Sequence, residues 1–142
     1  MAITTTIYIG EAQDWIPEVV ERTKALSIGP GWENPDVVPL NSRAALDRAL
    51  EVIAMPENKG SEILLDGRGV QVPGYEKGNW LGPTIIDHVE PHMPIYTNEL
   101  FSPVMLIVRR NTLQEAIDFV NSSRYGNGLG IFTKSGGNAR KF

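Results

Sequence analysis

The feature that most constrains the fold is a run of five apolar residues, Val104 to Val108, followed at once by a clear helix start. A continuous apolar run of this length is typical of a strand that is buried on both faces, as in a parallel sheet. Thr112 and Glu115 have the spacing of a capping box. The apolar stripe of the helix that follows consists of Leu113, Ala116, Ile117 and Val120. A buried strand that leads into an amphipathic helix indicates an α/β fold.

Strands and helices alternate over the rest of the chain, which at 142 residues can form one domain with its own core. Asp66–Gly69 is predicted to close a hairpin into residues 70–72, and residues 93–100 to hold a short helical turn. The other predicted strands cover residues 3–9, 62–65, 84–86 and 129–133, and the other helices cover 11–26, 42–53 (ended by Pro56) and a last one from about 137. This predicts a layered α/β fold, with a mostly parallel sheet and flanking helices, in a single domain over residues 1–142.

The composition excludes several chemistries. The chain contains no cysteine, so it can form no disulfide, thiolate metal site or thiol nucleophile. Its net charge is -4 and it has no run of Lys or Arg, so neither nucleic acid nor an anionic membrane is a predicted partner. No apolar stretch approaches the ~20 residues of a membrane helix. The predicted compartment is the cytoplasm or the mitochondrial matrix.

Two groups of residues resemble functional sites, a phosphate-binding loop and a metal site, but each has a simpler structural interpretation. The glycines of Gly126–Gly130 follow a helix and precede an extended segment, the reverse of a phosphate-binding loop, so a helix C-cap and turn are predicted. His88, Glu90 and His92 would share one face of a strand. The prolines around them disfavour a strand, so a surface loop without metal is predicted, and a metal-dependent hydrolase stays an alternative.

The segment Asn98–Val104 resembles the Glu-hydrophobic-Phe-Gly-Pro-Val motif of the NAD(P)-dependent aldehyde dehydrogenase superfamily. Further motifs occur in that family's order. They are Gly-Pro-Thr at 82–84, the buried strand and the helix after it, Tyr-Gly at 125–126 and Phe-Thr at 132–133. The resemblance implies that this is a partial aldehyde dehydrogenase catalytic domain.

A closer resemblance is to the CoA-acylating methylmalonate-semialdehyde dehydrogenases. It is carried by residues 63–68, 74–79, 82–86 and 125–128. In that group the nucleophilic cysteine is followed by Met-Ala and a strand, and this chain begins Met1-Ala2-Ile3. The expectation is an incomplete catalytic domain segment that starts just after the cysteine and lacks the Rossmann-type NAD-binding domain.

The resemblance implies roles for two residues, both in binding NAD. Glu99 matches the glutamate that holds the nicotinamide ribose, and Phe101 matches the aromatic residue near the nicotinamide ring. No catalytic residue and no metal ligand are predicted in the chain. Two positions depart from the family, since Ser102 and Val38 stand where glycine is usual. If the family's glycine at the position of Ser102 adopts a positive φ, a serine there would strain the loop.

The implied function is that of a fragment of an NAD-dependent methylmalonate- or malonate-semialdehyde dehydrogenase that passes its acyl group to CoA. As an isolated chain it is expected to be inactive and to self-associate or pair with a complementing subunit. One alternative is a stand-alone, non-catalytic binding module on this scaffold. Another is an aldehyde dehydrogenase with a different substrate.

Overall fold

A computed structural model describes residues 3–55 and 58–142. The expectations that involve Met1, Ala2 and Pro56 fall outside these ranges. The strands are β1 (Thr5–Ile9), β2 (Glu62–Leu65), β3 (Thr84–Asp87) and β4 (Val104–Arg110). The α-helices are α1 (Ile16–Lys24), α2 (Arg43–Ala54), α3 (Pro94–Thr97), α4 (Leu113–Asn121) and α5 (Gly136–Lys141), with 3-10 helices at Gly10–Trp15 and Gly31–Glu33.

The four strands form one sheet in the order β1-β4-β3-β2. β1 and β3 run parallel to β4 on either side of it, and β2 pairs antiparallel with β3. The apolar run therefore forms an inner strand, in which Ile107 and Val108 are fully buried. The predicted α/β fold with a mostly parallel sheet is confirmed.

Alternate residues of the sheet face two separate cores. On one face, Ile85 and Ile107 pack with Tyr8 and with the buried side of α1. On the other face, Ile86 and Leu106 pack with residues of α2, α3 and α4. This division follows from the two-residue period of a strand, and it makes β3 and β4 the centre of a three-layer arrangement.

Local capping signals determine where two helices begin. The Ser42 hydroxyl accepts a hydrogen bond from the Ala45 amide at the start of α2. At α4, Thr112 Oγ1 accepts from the Glu115 amide while the Glu115 carboxylate accepts from the Thr112 amide, which completes the predicted capping box. These bonds satisfy amides that have no partner inside their helix.

Two predicted strands are wrong. Residues 70–72 form no strand. In the predicted turn before them the Asp66 carboxylate binds the Arg68 guanidinium, which lowers the pKa of the Asp66 carboxyl. Leu129–Thr133 also has no strand structure, and its Phe132 side chain is 94% exposed. The last helix does begin near the predicted position. No helix in the described ranges is long and apolar enough to cross a membrane.

Candidate functional site

The predicted cofactor residues lie in the loop between α3 and β4. We call Glu99–Phe101 the presenting loop. Glu99 and Phe101 are both exposed, while Leu100 between them is partly buried and packs against the larger core. The backbone thus turns the flanking side chains outward and the middle one inward, so both predicted residues are exposed, two positions apart in one loop.

Glu99 has a free carboxylate. Within the described residues its side chain makes neither a hydrogen bond nor an ion pair, although 13 Lys and Arg residues are present in the chain. Both carboxylate oxygens are therefore available as acceptors. A carboxylate in this state can accept hydrogen bonds from two neighbouring hydroxyl groups, such as those of a ribose.

Phe101 is not a core residue. Its side chain is 79% exposed and its φ is +47°, in the left-handed region that bulky side chains rarely adopt. Such a conformation persists only where the surrounding structure imposes it, and it is common in ligand-binding segments. An exposed aromatic ring held in this way can stack on a planar ligand group.

Ser102 does not strain the loop in the way that its replacement of glycine suggests. The positive φ occurs one residue earlier, at Phe101, and Ser102 is not among the residues with positive φ. Its carbonyl accepts from the Val104 amide at 2.7 Å. The Ser102 hydroxyl is buried and has no hydrogen-bond partner in the part of the chain that the structure describes. The consequence of the serine is thus an unsatisfied hydroxyl rather than a strained backbone.

A residue that sequence reasoning missed fixes the start of α3. Asn58 is 8% exposed; its amide nitrogen donates to the Val52 carbonyl at 2.7 Å, and its amide oxygen accepts from the Ile95 amide at 3.0 Å. In the next residue of α3, the Tyr96 ring lies 5.1 Å from the Phe119 ring of α4. An Asn outside any periodic pattern gives no sequence signal for such a role.

The carboxylates around His88 and His92 are engaged by arginines. Asp87 is fully buried, and both of its carboxylate oxygens accept hydrogen bonds from Arg109. Arg109 Nε lies 3.1 Å from Oδ1 and 3.0 Å from Oδ2, and Arg109 Nη2 lies 2.5 Å from Oδ2. Glu90 binds Arg110 at 2.9 Å. Both histidines are exposed, and no group of three metal-ligating side chains occurs in the described residues. This region provides no support for the hydrolase alternative.

The chain matches the model of the aldehyde dehydrogenase family over residues 4–142. It is 46% identical over 143 residues to a mitochondrial methylmalonate-semialdehyde/malonate-semialdehyde dehydrogenase [acylating] of Bos taurus, and 43% identical to a probable enzyme of the same description from Caenorhabditis elegans. Each alignment covers 100% of this chain but 27% of the relative. The chain therefore spans about a quarter of the length of these relatives.

Solved structures with a similar fold have a similar description to these sequence relatives. A crystal structure of methylmalonate-semialdehyde dehydrogenase from Oceanimonas doudoroffii has a TM-score of 0.93 and 35% identity, and covers 99% of this chain and 30% of that one. A proposed methylmalonate-semialdehyde dehydrogenase from Sinorhizobium meliloti 1021, complexed with NAD, has a TM-score of 0.91 and 33% identity over 99% of this chain and 29% of that one. Fold, motif order and family match agree, so the chain belongs to the aldehyde dehydrogenase family.

Proposed function

We propose that this chain is a segment of the catalytic domain of an NAD-dependent, CoA-acylating methylmalonate- or malonate-semialdehyde dehydrogenase. The observation that supports the proposal is the presenting loop, which exposes both the Glu99 carboxylate, without a described partner, and the Phe101 ring. The names of the relatives support the substrate class, and the NAD complex of a structural neighbour supports the cofactor.

The side chains of the presenting loop fit the nicotinamide half of NAD. The Glu99 carboxylate has two free acceptor oxygens for the two ribose hydroxyls, and the exposed face of Phe101 can pack against the nicotinamide ring. When bound, NAD supplies hydride acceptance from the substrate carbon. Glu99 would orient the ribose, while Phe101 would restrict the ring and keep water from one side of it.

The thiol chemistry must come from outside these 142 residues, which include no cysteine. In acyl transfer by this family a thiolate attacks the aldehyde, so the isolated chain has no group to form the thioester. We propose that activity needs a complementing segment or subunit, and that CoA and the aldehyde bind only in the intact enzyme. The compartment, cytoplasm or mitochondrial matrix, stays a prediction.

The inactivity of the isolated chain can be tested directly. The purified 142-residue protein is mixed with NAD, CoA and either methylmalonate semialdehyde or malonate semialdehyde, and NADH absorbance is followed. We expect no rate above a blank without protein. Steady NADH formation would show that the chain turns over without a cysteine, and the proposal would have to be abandoned.

A chimera tests the role in the intact enzyme. The corresponding segment of the Bos taurus relative is replaced by this chain, and NADH formation is measured. We expect CoA-dependent turnover of the semialdehydes, and Glu99→Gln should raise the KM for NAD about ten-fold or more through loss of charge-assisted hydrogen bonds. Glu51→Gln is the matched control, because Glu51 is also exposed and makes no described hydrogen bond.

Each other outcome of the chimera experiment favours a different alternative. Equal KM values for the two Gln variants would remove Glu99 from the cofactor site. Turnover of other aldehydes only would favour a different substrate. A folded but inactive chimera would favour the non-catalytic binding module.

A further inference from the structure

The last residue of α3 is held by two side chains that lie beyond α4 in the chain. The Thr97 carbonyl accepts hydrogen bonds from the Arg124 guanidinium and, at 3.1 Å, from the Tyr125 hydroxyl. A carbonyl at the end of a helix has no intrahelical donor and needs another partner. Two donors from outside the helix meet that need here, and they do so two residues before Glu99.

Arg124 and Tyr125 also support each other. The Arg124 guanidinium carbon lies 4.9 Å from the centre of the Tyr125 ring, and one guanidinium nitrogen donates to the Tyr125 hydroxyl at 2.7 Å. The Ser123 hydroxyl accepts from the Tyr125 amide at 3.2 Å. These bonds orient both donors towards Thr97, so the contact acts as one unit.

The presenting loop has few restraints of its own. Among the described residues, Glu99 and Phe101 have no side-chain hydrogen bond, and Leu100 contributes only its packing against the core. The loop conformation is therefore determined mainly by its two ends. At the far end the Pro103 carbonyl accepts from the Thr84 amide of β3 at 2.9 Å. At the near end the Asn98 backbone amide and side-chain amide donate to the Pro94 carbonyl at 3.0 and 2.9 Å, and the Thr97 contact lies directly before them.

We propose that Arg124 and Tyr125 are positioning residues that keep the presenting loop in the conformation that a nicotinamide nucleotide binds. The left-handed Phe101 requires such support, because an unsupported bulky residue returns to the common regions of φ and ψ. Loss of the Thr97 contact lowers the fraction of chains in which Glu99 and Phe101 are correctly placed, and apparent affinity falls by that fraction. The inference rests on the proposed function for its ligand, but its structural part can be measured without one.

The test uses the isotope-labelled 142-residue chain and five variants. Arg124→Ala and Tyr125→Phe remove the two donors. The matched controls are Arg48→Ala, at an exposed arginine without a described hydrogen bond, and Tyr75→Phe, whose hydroxyl bonds Glu33 instead. The first readout is the strong intraresidue NOE between amide and α protons that a positive φ gives at Phe101. The second is the shift of the loop amides on titration with nicotinamide mononucleotide.

We expect the Phe101 NOE to weaken in Arg124→Ala and Tyr125→Phe and to stay at wild-type strength in both controls. The mononucleotide should bind about ten-fold more weakly to Arg124→Ala and about five-fold more weakly to Tyr125→Phe, given the strengths of charged and neutral hydrogen bonds. Arg124→Lys, which keeps a charged donor, should restore part of both signals.

The inference and the proposed function fail in distinguishable ways. If the Phe101 NOE and the loop shifts are the same in wild type and in both variants, Arg124 and Tyr125 do not position the loop and the inference is overturned. If the wild-type loop shows no shift with the mononucleotide, binding by the isolated chain fails; the Glu99→Gln chimera then decides the cofactor role of the loop, and the NOE decides whether the two residues hold it.

Discussion

At the level of single residues, two glycines allow a very close approach between backbone segments. The Gly82 amide donates to the Gly67 carbonyl at 2.9 Å, and a Cβ placed on Gly67 would lie 2.0 Å from the Gly82 oxygen. Only a residue without a side chain allows this approach. The contact joins the end of β2 to the start of β3, which explains why a hairpin does not form there.

Gly67→Ala should therefore destabilise the protein by about 2–3 kcal/mol, because backbone atoms must shift to make room. Urea unfolding measures the loss. Gly126→Ala is the control, since nothing lies within 4 Å of the position that a Cβ would take there and its φ is not left-handed; its effect should stay within about 0.5 kcal/mol. Equal stability of the two variants would show that the two loops can separate without cost.

Substitution of Ser102 should change stability in the opposite direction to substitution of Gly67. Its buried hydroxyl has no described partner, so Ser102→Ala removes an unsatisfied polar group and should leave stability equal or raise it by up to about 1–2 kcal/mol. Ser42→Ala is the contrasting variant, because Ser42 caps α2 and its loss should cost about 1 kcal/mol. A clear loss of stability in Ser102→Ala, measured by thermal unfolding, would mean that the hydroxyl is bonded.

Ionisation of Tyr8 should make the free energy of unfolding depend on pH in the alkaline range. Burial in the smaller core, and secondarily the negative charge of Asp87, raise the pKa of the Tyr8 hydroxyl. Above about pH 10 the unfolded chain ionises first and binds fewer protons, so the free energy of unfolding falls as pH rises towards the folded-state pKa. Tyr8→Phe should lose less stability than wild type between about pH 9 and 11. Parallel unfolding curves for the two proteins over this range would contradict the assignment.

Among the elements, α3 shows how a four-residue helix can hold a fixed place. Too short to be stable alone, it depends on Asn58 at its start, on Tyr96 against Phe119 and on the Thr97 contact at its end. Each anchor comes from a different part of the chain. The presenting loop inherits its position from all three.

Asn58→Ala should test the first anchor. The change leaves the buried Ile95 amide without its partner and removes one of the two donors to the Val52 carbonyl, which keeps the Met55 amide, so we expect a loss of about 1–3 kcal/mol in urea unfolding. Hydrogen exchange at Ile95 should speed up at the same time. Asn111→Ala serves as control, since the exposed Asn111 side chain makes no described bond; a similar loss there would point to a general effect of removing amides.

Elements with local signals were predictable from sequence, and those that depend on distant partners were not. The apolar run of β4 and the capping box of α4 carry their structure within a few residues, and both predictions are confirmed. The turn signals of Asp66–Gly69 are also local, yet the partner of β2 is β3, about twenty residues away along the chain. The proposed site divides in the same way, because Glu99 and Phe101 were predicted from a motif, whereas Asn58, Arg124 and Tyr125 make contacts across long sequence separations.

At the scale of the whole molecule, the sheet has two open edges. β1 pairs only with β4, and β2 only with β3, in the described residues. The Leu106 amide donates to the carbonyl of Thr4, the residue before β1, so in the alternating pattern of a parallel pair the backbone groups of Thr5 point away from β4. Leu129 and Phe132 add large exposed apolar side chains near the other end of the chain. Open edges and exposed apolar groups both promote association.

We therefore expect the chain to self-associate, with a sedimentation coefficient that rises with protein concentration. Two variants identify the surface responsible. Thr5→Pro removes an outward amide at the first position of β1, where proline is tolerated, and should weaken association if the strand edge pairs. Leu129→Ser with Phe132→Ser should weaken it if the apolar segment is buried between copies. Association that survives in both variants would place the contact elsewhere, and a single monomeric species at high concentration would show that the open edges are protected by their own charges and twist.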